Sequence, residues 1–110
     1  MMRPSSLNIL GKTYSITYVE KPSDVDIYKR TSLWGQVDYW TRSIRIFDGG
    51  RADEDLWHTL MHEVLHAIAE DLKLRLARSE NHDEMDLLAL ALADFLFRNW
   101  LLRSTPRSVA

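Results

Sequence analysis

The chain contains no cysteine. That excludes a disulfide framework and also thiolate metal ligands, so any metal must be held by His, Asp or Glu. It also lacks a block of like charge. Its net charge is −2, and nothing in it resembles a basic nucleic-acid footprint, so no nucleic-acid partner is expected. The N-terminal "MMRPSSLNILGKTYS" has no apolar core of signal-peptide length, so no export signal is read there. The most apolar stretch, Leu87 to Leu102, is short for a membrane span and carries Asp94 and Arg98. It reads as a buried helix of a soluble, intracellular protein without a membrane partner. There is no internal repeat and no convincing linker.

What is present fits one small domain over residues 1–110, with residues 1–6 and 104–110 as frayed ends. Charged residues make up 27% and hydrophobic residues 45%, enough for a single modest core. Tyr14, Ile16 and Tyr18 alternate in "TYSITYV", which predicts a strand. "LNIL" before Gly11-Lys12 could pair with it as a hairpin. "LWGQVDYW" and "SIRIF" form a second candidate hairpin, and Asp48-Gly49-Gly50 ends the sheet.

A helix is then expected from the acidic run Asp53, Glu54, Asp55. Its apolar stripe is Leu56, Leu60, Val64, Ile68 and Leu72, widened by Trp57, Met61 and Leu65. "NHDE", Asn81 to Glu84, has the spacing of a capping box and opens a second helix reaching about Leu102. Strands followed by two helices predict an α+β domain, with the helices covering a small antiparallel or mixed sheet.

"WHTLMHEVLHAIAEDL" holds three of the four histidines, His58, His62 and His66. His62-Glu63-Val64-Leu65-His66 is an H-E-x-x-H pattern inside a predicted helix. Residues four apart share a helix face, so two imidazoles can converge on one ion. A Glu directly after the first ligand reaches the water that a zinc ion activates, rather than the ion itself. Zinc wants a third protein ligand. His58 is a poor source, because each four-residue step drifts by about 40° around the helix. It is read as partly exposed or supporting. The start of the second helix offers Glu80, His82, Asp83, Glu84 and Asp86. His82 opens the stripe His82, Met85, Ala89, Leu92, Leu96 that should face the core. Asp83 is the alternative, since a helix N-terminus favours a carboxylate. Asp86, one turn after His82, could orient a histidine ligand by accepting its other N–H.

With these features in place, the chain resembles the zincin-like metallopeptidases. It is most similar to their minimal members in bacteria and phages, related to the ImmA/IrrE peptidases. "LWHTLMHEVLHAI" resembles the active-site helix of that group, and "HDEMDLLALALADFLFRN" resembles a second helix that tends to end in an Arg-Asn run, here Arg98-Asn99. The resemblance spans roughly residues 43–99, and only the five-residue motif is sharply specific. It implies His62 and His66 as zinc ligands, Glu63 as general base, a peptide or protein substrate, and a cytoplasmic setting in a bacterium or phage-infected cell. In the group the third ligand is commonly an acid near the start of the second helix, where His82 stands here beside Asp83. Zincins align substrate along an edge strand above the cleft, and "SIRIF" is the candidate by position. Tyr39 and Arg42 are candidate donors to the transition state. An alternative reading is a non-catalytic domain stabilised by zinc and acting through protein contacts, for which Trp34, Tyr39, Trp40 and Trp100 could supply a surface.

Overall fold

In the computed structural model, which describes residues 3–27 and 33–99, four strands precede two helices. The strands are β1 (Ser6–Ile9), β2 (Lys12–Val19), β3 (Gly35–Asp38) and β4 (Ser43–Phe47). The helices are α1 (Asp53–Leu72) and α2 (His82–Asn99), linked by two single 3-10 turns. The class is α+β, as the sequence predicts, and the sheet is mixed.

The first hairpin closes through Leu10 and Gly11, both left-handed at φ 52° and 81°. Two successive positive φ values match the tight turns that follow the natural strand twist. Asn8 Oδ1 accepts the Gly11 N–H at 3.0 Å and holds the turn. β1 pairs with β2, and β3 with β4, antiparallel; β2 and β4 pair parallel, giving the order β1-β2-β4-β3.

That order corrects one expectation. "SIRIF" is β4 and lies inside the sheet, not at its edge; the edge beside the helices is β3. The reason is burial. Ile44 and Ile46 are fully enclosed under α1, so β4 takes the central place and β3 folds back outside it. On β2, Tyr14 and Ile16 alternate inward as expected.

Among the described residues α1 lies on the sheet, whereas α2 packs mainly on α1 and the turns before it. α1 is therefore enclosed on two sides. Its buried set includes Leu56, Trp57, Leu60, Met61 and Leu65, but also Thr59, Glu63 and Ala67, which a single stripe does not contain. Val64 and Ile68 are partly buried, and Leu72 is exposed. Lys73, left-handed at φ 57°, ends the helix and donates its N–H to Ala69 and Glu70 carbonyls.

On α2 the buried line is Met85, Ala89 and Ala93, with Leu96 and Phe97 partly buried. Leu92 is exposed, as are Leu87, Leu88, Leu90 and Phe95. The stretch expected to be a buried helix thus covers only one face among the described residues, because a single helix is its main neighbour. Its last part, residues 100–102, falls outside them. The Asn81 amide donates to the Arg75 carbonyl at 2.6 Å, fixing the turn into α2.

Residues 3–5 make contacts with the sheet and the loop after it. Arg3 pairs with Asp48 at 2.7 Å, the Tyr18 hydroxyl donates to the Pro4 carbonyl, and Ile16 N–H donates to the Ser5 carbonyl. Residues 104–110 lie outside the described residues. Of the proposed aromatic surface, Trp34, Tyr39 and Trp40 are exposed and Trp100 is outside the described residues; the core tryptophan is Trp57. No helix among the described residues is long and apolar enough to cross a membrane.

Candidate metal centre

Two turns of α1 and the first residue of α2 bring three histidines together. His62 and His66 stand one turn apart, and their Nε2 atoms are 3.0 Å apart. One ring nitrogen from each of His62, His66 and His82 lies within 4.8 Å of the others. Two nitrogens at about 2.0–2.1 Å from a tetrahedral ion would sit roughly 3.3 Å apart, so the His62–His66 pair is already close to that spacing. Such a group can hold a metal ion. Among the described residues it is the one such group, and it includes neither His58 nor Asp83. Asp83 is exposed in the first turn of α2, as is His82.

The histidines are prepared for ligation. His62 is the most enclosed, with its side chain 12% exposed. Burial lowers its pKa below the usual value, partly offset by Asp86. His66 is pushed down to about 4, by burial first and then by the charges that His62 and His82 would carry. Both are therefore neutral near pH 7, the form that binds metals. Asp86 Oδ1 lies 2.9 Å from His62 Nδ1. A carboxylate only accepts, so Nδ1 carries the hydrogen and the lone pair is left on Nε2, which faces His66.

Glu63 lies against β3 and lines two depressions beside His62 and His82. Its side chain is enclosed, at 7% exposure, and burial pushes its pKa up to about 8 although the Val37 backbone donates to it. A divalent cation nearby would pull it back down. Gly35 makes this position possible: a Cβ there would lie 2.7 Å from Thr59 Cγ2 and 3.1 Å from Glu63 Oε2.

The cluster sits between two depressions. A cleft of about 430 Å³ runs toward the start of α1, past Glu63, Thr59, His58, Asp86 and Arg51 to Trp34. A more open one lies on the other side, past Val37, Tyr39 and His66. Tyr39 therefore borders the site. Its hydroxyl reaches the His66 carbonyl at 3.4 Å, and burial, followed by Glu70 and Glu63, pushes its pKa up to about 12, so it remains a donor. Arg42 sits in the β3–β4 turn and lines neither depression.

Several contributors escape sequence spacing. Arg51 stacks on Trp34 at 4.1 Å and donates to the Phe47 and Asp55 carbonyls and to Thr59 Oγ1, tying the end of β4 to α1. No local pattern marks it. Gly35 did carry a signal, since an isolated glycine in a strand pattern marks close approach of another group. Comparison with protein-family models, curated proteins and solved structures finds no match for this chain.

Proposed function

We propose that this chain is a zinc-dependent hydrolase of peptide bonds, a small zincin-like peptidase acting in the cytoplasm of a bacterial or phage-infected cell. The observation that carries the reading is the pairing of a three-imidazole group with a buried carboxylate at the open depression beside β3: His62, His66 and His82 with Glu63. Three imidazoles suit zinc, with a fourth position left for water or substrate. When bound, zinc would supply Lewis-acid activation of the attacking water and of the carbonyl. His62, His66 and His82 would each offer one ring nitrogen to the ion, and Asp86 keeps His62 in the required tautomer. Glu63 takes the proton of the attacking water and delivers it to the leaving amine nitrogen. β3 offers the edge along which an extended peptide can lie. Tyr39, which borders the depression, is the candidate donor to charge developing on the carbonyl oxygen, a role that requires its hydroxyl to leave the His66 carbonyl.

Two measurements test this. Metal analysis of the purified protein should find one zinc per chain, lost in His62→Ala; a wild-type protein that takes up no zinc ends the metal reading. Glu63→Gln should keep zinc and abolish peptide hydrolysis.

The second reading, a zinc-stabilised domain that acts through protein contacts, is favoured by the exposed Leu87, Leu88, Leu90 and Phe95 on α2. It predicts that Glu63→Gln leaves partner binding and zinc content unchanged.

A further inference from the structure

We propose that His58 is a positioning residue of this centre, acting on His62 through Asp86. The inference rests on the reading of His62, His66 and His82 as metal ligands. His58 is outside the ligand group, yet it meets the same carboxylate oxygen that holds His62. Asp86 Oδ1 is 3.2 Å from His58 Nε2 and 2.9 Å from His62 Nδ1. One carboxylate oxygen on α2 thus receives two imidazoles that stand one turn apart on α1.

The chemistry of the bridge fixes both rings. Asp86 can only accept, so each facing nitrogen carries its hydrogen. His58 is held as the Nε2–H tautomer and His62 as the Nδ1–H tautomer. The Asp86 side chain is half exposed, at 50%, so water competes for it. With one donor, the carboxylate could swing toward solvent and release His62. With a second donor from one turn further down the helix, it is fixed from two directions. The rotamer cost of orienting His62 is then met before the metal arrives.

His58 also lines the 430 Å³ cleft, so a direct role against substrate is the competing explanation. Metal binding without substrate separates the two. The full-length chain, stripped of metal, would be titrated with Zn²⁺ and with Co²⁺, reading affinity and the visible Co²⁺ spectrum. The proteins are wild type, His58→Ala, His58→Gln, His58→Leu, Asp86→Ala, the His58→Ala/Asp86→Ala double variant and His62→Ala.

Loss of partners that orient metal-bound histidines weakens binding by about 10–100-fold. Asp86→Ala should fall in that range. His58→Ala should fall at its lower edge, about 10-fold, with an altered Co²⁺ spectrum. His58→Gln, whose amide can donate from a similar place, should recover most of the loss. In the Asp86→Ala background, His58→Ala should cost nothing more, because the bridge is already gone.

Wild-type affinity and spectrum in His58→Ala would overturn the proposal. So would an equal loss with and without Asp86, which would mean that His58 acts by another route. Should His58→Ala not fold, wild-type-like binding by His58→Gln together with failure by His58→Leu carries the same decision. If wild type binds neither ion, or if His62→Ala binds as wild type does, the ligand reading itself falls. A normal wild type and a dead His62→Ala beside an unaffected His58→Ala remove only this inference.

Discussion

Gly35 and Glu63 are one structural decision made by two residues. The acid can lie against β3 because the strand has no side chain at that point. Gly35→Ala should force Thr59 and Glu63 apart, at a cost of about 1–3 kcal/mol, as is typical of overpacking. Denaturant midpoints with an unchanged m-value would show it; a wild-type midpoint would contradict the close approach. The same burial makes the metal-free protein pH-sensitive. Glu63 keeps its proton up to about 8 when folded but releases it near 4.5 when unfolded, so its contribution to stability declines as pH rises between those values. His62 and His66 act in the opposite sense: their pKa values are depressed on folding, so their contribution grows with pH up to about 6.5. The two trends oppose each other below 6.5, and only the Glu63 trend remains above it. Stability of the metal-free chain should therefore fall from pH 6.5 toward 8, and Glu63→Gln should remove the fall. A flat wild-type profile there would mean that Glu63 is hydrated in solution.

At the scale of elements, α2 is the part whose placement decides the site, and Met85 anchors it. Met85 is completely enclosed and lies between His82 and Asp86 in sequence, on the face turned to α1. Met85→Ala should cost about 2–5 kcal/mol by leaving a cavity. It should also weaken metal binding, since His82 and Asp86 both depend on that helix surface. Thermal melting and metal titration would check the pair of effects; lost stability with undiminished metal affinity would separate packing from the site. The helices were legible in the sequence because a 3.6-residue period is a local property. H-E-x-x-H within α1 and Asp86 one turn after His82 could be read for the same reason. The interior place of β4 could not. Strand order depends on contacts such as β2 with β4, between residues nearly thirty apart, and alternation of Ile44 and Ile46 is the same at an edge or a centre. Burial of Glu63, and the support it gets from Gly35 and Val37, follows from that hidden order. Leu92 was misassigned for a different reason: a helix with one neighbour buries a narrower line than its apolar content suggests.

At the scale of the whole fold, among the described residues, the histidine group joins α1 to α2, while α1 makes most of the contact between helices and sheet. A metal bound there would clamp the layer that otherwise has the fewest neighbours. Binding to the folded state at 100 times Kd adds about 2.7 kcal/mol. For a chain of this size that amounts to a melting temperature roughly 10–20 °C higher. Differential scanning calorimetry with zinc and with a chelator should show the gap, and hydrogen exchange should report the strongest protection at the start of α2. An unchanged melting temperature would mean that the histidines do not clamp the helices.

The outer side of β3 carries one more consequence. An edge strand offers unpaired amides to any other strand it meets, and such edges invite sheet-to-sheet aggregation. Here Val37, whose backbone faces away from β4, spends its N–H on Glu63. Together with the four-residue length of β3, that contact limits uncontrolled strand addition by neighbouring molecules while leaving the rest of the edge to an extended peptide.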